Sequence, residues 1–367
     1  MRRWTRSCLL LWMTLLIVAA CGPAGPDTPA PAAPTPVPAP VTEVMPPTST
    51  WTPAPTRTPT PTAVPSATAV PPTPARPRGL IARQHLEALA VTIGPRSPGS
   101  PEEAQAARYI QGTFVSLGYV PQWQPFSITV EVDGQEATLS SANVIAVKAG
   151  SSSQEIIVGA HYDSVAGSAG ADDNAAAVAV LLEAAALVQN VPTPCTVRFI
   201  AFGAEELHMD GSRYYVGRMS AADIRNTVAM INLDGLIAGD FAYVYGSAGT
   251  PGSLRDWILQ KAPEEGLELD GRTAAELVSP DGTPCDCSDY SPFEAAGIPF
   301  AYFEASNWNV GEQDGWTQVD PRYGDEGQIR HTEYDTVAYI ESTFPGRIAN
   351  YLDLFVTLLY DALTQFQ

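Results

Sequence analysis

Three short apolar runs, residues 156–160, 196–202 and 228–233, each end beside residues able to hold a cation. His161 and Asp163 follow the first, Glu205 and Glu206 the second, and Asp234 the third. Runs of this length without polar alternation are strands covered on both faces, and the helical pattern over 174–188 separates two of them. The alternation predicts an α/β fold with a mostly parallel central sheet and helices on both faces. In such folds ligands gather beyond the carboxyl ends of the strands, where these groups fall.

The remaining pattern agrees with that architecture. Amphipathic helices are expected over 80–90 and, behind the start signal Ser100-Pro101-Glu102-Glu103, over 104–117. Further strands are expected at 126–132, 143–147, 242–245 and 298–303, with helices at 254–262 and 340–363.

The N-terminal part has a different character. Arg2, Arg3 and Arg6 precede an apolar run over 9–20 that is shorter than the roughly 20 residues of a membrane span, which is the layout of a secretory signal. It finishes Val18-Ala19-Ala20-Cys21, resembling the bacterial lipobox, so residues 1–20 are expected to be removed and Cys21 to be lipidated. That makes the chain an exported lipoprotein, held by Cys21 on the extracytoplasmic side of a bacterial membrane. Residues 21–78 are rich in Pro, Thr and Ala, bury too little to offset ordering entropy, and read as an extended stalk. One large domain, residues 79–367, follows.

Charge narrows the partners. The formal net charge is -20; the first 20 residues contribute +3 and the stalk +1, leaving about -24 on residues 79–367. A nucleic-acid partner is excluded on that ground, since phosphate binding requires a positive surface. With Cys8 in the signal and Cys21 lipidated, Cys195, Cys285 and Cys287 remain, and the sequence does not fix their pairing.

Two of the four histidines stand in His161-Tyr162-Asp163 and His331-Thr332-Glu333-Tyr334-Asp335, each near a carboxylate that can orient an imidazole ligand. Asp172, Asp173, Glu205, Glu206 and Asp234 are expected at the same end of the sheet, where that many carboxylates repel unless cations join them. Two divalent ions, three ligating carboxylates and a hydroxide balance in charge. A donor set of His and carboxylate without thiolate suits zinc, and also manganese or cobalt.

Six segments taken in order resemble the bacterial leucyl aminopeptidase-like family of co-catalytic di-zinc peptidases. They are Gly159-Ala160-His161-Tyr162-Asp163-Ser164, Gly170-Ala171-Asp172-Asp173-Asn174, Phe202-Gly203-Ala204-Glu205-Glu206, Asn232-Leu233-Asp234, Ser288-Asp289-Tyr290 with Gly297-Ile298-Pro299, and His331-Thr332 with Asp335. The resemblance spans the chain from about Leu80 onward and implies the three-layer sandwich of the zinc exopeptidases. It implies that Asp173 bridges two Zn2+, with His161 and Asp234 completing one site and Glu206 and His331 the other. Glu205 is then the general base and Asp163 orients His161, while Asp335 supports the His331 loop and Asp172 has a structural turn role. The implied reaction removes residues from peptides with a free N-terminus, using a water that Glu205 deprotonates.

The chain departs from the family pattern in two places. Tyr290 stands where a histidine is frequent, and Arg330 stands where an aromatic precedes the last histidine, so that Arg330 or Tyr302 would have to help the oxyanion. The stretch from Glu304 to Asn309, followed by Asp314 to Gln318, resembles the subgroup related to the alkaline phosphatase isozyme conversion aminopeptidase. There Glu304 and Asp314 would favour a basic first residue; the alternative is a solvated loop with buried tryptophans. Trp308, Trp316 and Tyr323 line a pocket or simply pack, and His85 and His208 read as surface or local hydrogen-bonding groups. Two other functions compete: a single-zinc glutaminyl cyclase-like aminoacyltransferase, and a lipid-anchored binding module with a dead peptidase fold.

Overall fold

The computed structural model describes residues 78–132, 134–247, 253–277, 287–311 and 315–367. The expected signal, Cys21, almost the whole stalk, Cys285 and Asp314 lie outside the described residues. Eight strands form one mixed sheet: β1 Gln122–Val132, β2 Gln135–Lys148, β3 Glu155–His161, β4 Thr196–Phe202, β5 Thr227–Leu233, β6 Phe241–Gly246, β7 Asp270–Gly271 and β8 Phe300–Ser306, in the order β1-β2-β4-β3-β5-β8-β6-β7. The middle four, β4, β3, β5 and β8, are parallel; β1–β2, β2–β4 and β6–β8 are antiparallel.

Nine α-helices accompany the sheet among the described residues: α1 Leu80–Leu86, α2 Pro101–Ser116, α3 Ala176–Val188, α4 Asp210–Val216, α5 Ala221–Asn226, α6 Leu254–Glu264, α7 Tyr290–Ala295, α8 Val337–Thr343 and α9 Arg347–Gln365. Alternate residues of the central strands feed opposite layers. Ile156, Val158 and Ala160 of β3 join the core formed with α1, α2, α3, α6 and α9, while Ile157 joins Phe202, Met230, Tyr215 and Phe293 on the face covered by α4 and α7. Helix α3 is apolar all round because the sheet lies on one side of it and α1 and α9 on the other; its one charged residue, Glu183, accepts from the N–H groups of Gly79 (3.0 Å) and Ala82 (2.6 Å) at the start of α1.

Where the elements differ from expectation, the local chemistry explains it. The strands expected at 126–132 and 143–147 extend into a hairpin paired from Gln122↔Ile145 to Val132↔Gln135. Its outer part alternates exposed Ser, Thr and Glu with partly covered residues, so it lacks an apolar run. The helix expected over 340–363 is two helices, because Pro345 has no donor to continue α8 and Gly346 turns the chain at φ +83°. Residues 304–306, just beyond the strand expected at 298–303, are the end of β8, and Glu304 is buried, which overturns the solvated-loop alternative there. Ser100 Oγ accepts from Glu103 N at 3.0 Å, capping α2 where the start signal stands.

His85 of α1 shares a hydrogen bond of 2.7 Å with Tyr109 of α2, and burial pulls its pKa from 6.5 to about 4. Between those values the unfolded chain binds a proton that the folded chain does not. The stability held by neutral His85 is therefore complete above about pH 6.5 and is lost as pH falls toward 4. His85→Gln is expected to reduce the drop in unfolding free energy between pH 7 and pH 4 by up to about 3 kcal/mol, read by urea denaturation at each pH.

Candidate metal centre

The parallel register brings three strand ends together. His161 closes β3 beside Phe202 of β4, and β5 pairs with β3 up to Asn232, two residues before Asp234. His161 Nε2 lies 3.1 Å from Asp173 Oδ1 and 3.5 Å from Asp234 Oδ1. The other oxygen, Asp173 Oδ2, lies 3.0 Å from His331 Nε2, which is 3.3 Å from Glu206 Oε2. Two donor triads result, His161–Asp173–Asp234 and Asp173–Glu206–His331, each with ligand atoms within 4.8 Å of one another. They share Asp173.

Partners outside the triads hold the Asp234 carboxylate and the backbone of Asp173 and Glu206. Asp163 accepts from Glu205 N through Oδ1 and from Glu206 N through Oδ2, both at 3.1 Å. Its Oδ1 also lies 3.5 Å from His161 Nδ1, longer than a good hydrogen bond, so it steers that imidazole mainly by charge. Asp335 accepts from Asp172 N at 2.6 Å and Asp173 N at 3.2 Å, so it ties the loop after His331, on which it stands, to the Asp173 backbone. Ser288 Oγ donates to Asp234 Oδ2 at 2.6 Å and receives Asn232 Nδ2 at 2.7 Å.

Asp172 points away from the triads. Its Oδ1 accepts from Ile237 N (2.6 Å) and Ala238 N (2.8 Å), and its Oδ2 from Gln318 Nε2 (2.6 Å). Gln318 Oε1 in turn accepts from Ile329 N and Arg330 N, which seats the loop carrying His331. Gln318 ends the stretch 314–318 that carries the subgroup resemblance, which gave it no role; its complete burial between two loops reveals this one.

Arg96 is the second residue that sequence reasoning missed. It is wholly buried and donates to five carbonyls: Nε to Tyr162 (2.7 Å), Nη1 to Leu89 (3.2 Å), Gly94 (2.8 Å) and Ala169 (2.8 Å), and Nη2 to Gly170 (2.9 Å). The loop after His161 and the loop before Asp173 are thereby tied to one cation. Gly170 must be glycine here, because a Cβ would lie 2.5 Å from Asp173 O and 2.6 Å from Ser164 Cβ.

The electrostatics favour a bound cation. Burial opposes charge on His161, yet Glu205, Asp234, Asp163 and Asp173 carry its pKa well above the ordinary value. Hydrogen bonds to Asp173 and Glu206 lift His331 to about 10. Burial pushes Glu205 well up, with Asp289, Asp234 and Glu206 adding to the effect, and burial with Asp173 brings Glu206 to about 7. This is a cluster deficient in positive charge, and Glu206 Oε1 is buried with no hydrogen-bond partner. Imidazole and carboxylate donors at these spacings fit a divalent ion in each triad.

A cavity of about 520 Å³ opens over the triads, lined by Glu205, Asp234, Trp316, Arg330 and His331 among others. Arg330 Nη2 donates to Glu304 Oε1 at 2.6 Å, and Tyr245 OH to Glu304 Oε2 at 2.7 Å. Glu304 therefore spends both oxygens internally and is not presented to a basic substrate side chain. Tyr302 is buried and stacked on Tyr245 and Tyr290, and Trp308 donates to Tyr245 OH, so among the aromatics it is Trp316 that faces the cavity. Tyr323 packs edge-on against Phe344. His208 is exposed at the rim, and Cys287 is disulfide-bonded, while Cys195 is free and buried.

Residues 143–356 match the sequence profile of peptidase family M28. The chain belongs to that family. As an M28 peptidase it is 32% identical over 295 residues to the alkaline phosphatase isozyme conversion protein of Escherichia coli, covering 74% of this chain and 85% of that one. It is 31% identical over 253 residues to the probable lipoprotein aminopeptidase LpqL of Mycobacterium tuberculosis, covering 63% of this chain and 48%, about half, of that relative. The fold is similar to that of a zinc aminopeptidase from Bacillus subtilis, with TM-score 0.62 and 20% identity over 79% of this chain and 96% of that one. It is also similar to that of Porphyromonas gingivalis glutaminyl cyclase, with TM-score 0.58 and 23% identity over 78% and 97%. At those identities the two structures speak for the fold alone.

Replacing Arg96 tests how far the M28 centre leans on this buried cation. Arg96→Met takes away the donor that the carbonyls of Tyr162 and Ala169 have among the described residues, while Gly170 O keeps Ala175 N, and is expected to cost about 3–5 kcal/mol in urea unfolding. Arg96→Lys keeps the charge but not the planar fork, and is expected to recover less than half of that loss.

Proposed function

We propose that this M28 peptidase is an aminopeptidase that works with two zinc ions, removing N-terminal residues from peptides outside the cytoplasm. The observation that carries the reading is the position of Asp173, whose two oxygens face two separate donor triads, with Glu205 in the same cavity and in neither triad. In this reading His161 and Asp234 complete one site, Glu206 and His331 the other, and manganese or cobalt would suit the same donors. Once bound, the ions would acidify a water and polarise the scissile carbonyl.

The protein's own residues do the rest. Glu205, with Oε2 3.9 Å from His161 Nε2, stands at the rim of the pair, takes the proton of the attacking water and returns it to the leaving amine. Its backbone is fixed by Asp163, so the carboxylate does not have to be ordered during the reaction. Arg330, anchored on Glu304, lines the cavity over the triads and would help to steady the oxyanion. Tyr302, buried under its stacked neighbours, does not share that task.

The paired triads favour hydrolysis over the single-zinc cyclase reading, and the complete donor set favours an enzyme over a dead binding module. Domain organisation belongs to the same proposal: a removed signal at 1–20, a lipidated Cys21 with a stalk to residue 78, and the peptidase domain from 79. The relative named as a probable lipoprotein aminopeptidase supports that arrangement. Among the described residues no helix is long and apolar enough to cross a membrane.

Metal analysis of the purified protein is expected to give two ions per chain. A chelator should abolish hydrolysis of aminoacyl-nitroanilides and zinc should restore it. Glu205→Gln should keep both ions while losing roughly 10²–10⁴ of turnover; parent-like turnover would remove Glu205 from the base role. Cys21→Ser should move the protein from the detergent phase to the aqueous phase in a bacterial host that lipidates exported proteins, and unchanged partitioning would refute the anchor.

A further inference from the structure

Next to the metal centre runs a second depression of about 550 Å³, bordered by five consecutive residues of β1, Ser127 to Glu131, and on its other side by the turn and helix that follow Glu206. His208 and Arg213 line both this groove and the cavity over the triads, so the two adjoin. Strand β1 ends the sheet order, and among the described residues it pairs only with β2. Its outer edge is thus a row of backbone donors and acceptors with no strand beside it. Pro125 sits near the start of β1, a position proline tolerates on an edge strand, and 126–132 beyond it carry a full set of N–H groups.

The edge is tied rigidly to the catalytic side. Phe126 and Ile128 are buried against Ala204, the residue just before Glu205, with Leu207 and Tyr214 packed on the same cluster. Ser127, Thr129 and Glu131 alternate with them and are exposed. Five residues of strand span roughly 16 Å, room for four or five extended residues of another chain. An extended peptide matches the spacing of such an edge whatever its side chains, which suits an enzyme that has to accept many sequences beyond the first bond.

We infer that β1 is a docking strand for the substrate: the part of the peptide beyond its second residue leaves the metal centre past His208 and Arg213 and adds to the 127–131 edge. The inference rests on the aminopeptidase reading above. It makes this peptidase selective for length, with peptides of about six residues preferred over dipeptides.

A length series tests this on the metal-loaded, full-length protein. Take the aminoacyl-nitroanilide turned over fastest, then peptides of two, four, six and eight residues with that first residue followed by alanines. From two to six residues kcat/KM is expected to rise about tenfold, mainly through KM, and to level off at eight. Backbone N-methylation at residues 4 and 5 of the hexapeptide removes one donor from each side of the added strand, so that one of them faces β1 in either register, and should erase most of the gain. Thr129→Pro, checked for folding by circular dichroism, should lower the ratio of hexapeptide to nitroanilide kcat/KM at least fivefold. Equal kcat/KM for dipeptide and hexapeptide, or a gain that survives N-methylation at both positions, overturns the docking strand and leaves the aminopeptidase reading intact. Turnover of neither nitroanilide nor peptide overturns both.

Discussion

The centre depends on crowding acidic groups that would repel one another in isolation. Asp173 is placed between His161 and His331 at about the distance of a direct contact on either side, within a buried region that also holds Asp234, Glu205, Glu206 and Asp163. Such a cluster is stable only if positive charge enters it and if the loops carrying it cannot spread. The second condition is met from below. Arg96 gathers the carbonyls of two loops, Asp335 takes the amides of Asp172 and Asp173, and Asp163 takes those of Glu205 and Glu206. The chain thus uses buried charges as fasteners for backbone, and the inward atoms are what remains.

The parallel strands contribute geometry that no single loop could. Because β3, β4, β5 and β8 run the same way, their carboxyl ends share one edge of the sheet, and residues up to 73 positions apart, from His161 to Asp234, meet there without a long excursion. Only Asp173, on the loop leading to α3, and His331, on a loop seated by Gln318, come from outside the strand ends. Both need dedicated partners, and both have them.

Much of this was legible in the sequence because it follows from local rules. Continuous apolar runs gave β3, β4 and β5 nearly to the residue, and the polar residues just after them are brought together in the candidate centre. The legible part stops where the cause is nonlocal. The hairpin of β1 and β2 is half polar, so its strands do not advertise their length. Glu304 reads as a loop residue ready for a substrate until β8 buries it against Arg330 and Tyr245. Arg96 carries no motif and Gln318 stands in one that assigns it no role, since their work is to satisfy backbone groups that only the folded chain brings near. The break at Pro345-Gly346, by contrast, was present in the sequence and follows from the missing donor.

The two imidazoles that share Asp173 differ in their access to water. The His161 side chain is 2% exposed and the His331 side chain 38%, although both contact the same carboxylate. In the two-ion reading, one ion would be locked in and the other would face the solvent and the incoming substrate. Exchange with the medium would then run through the His331 side, and the inner ion could leave only after the outer one had gone. In that reading, a common ligand with unequal shielding would impose an order of loading and unloading that neither triad would have by itself.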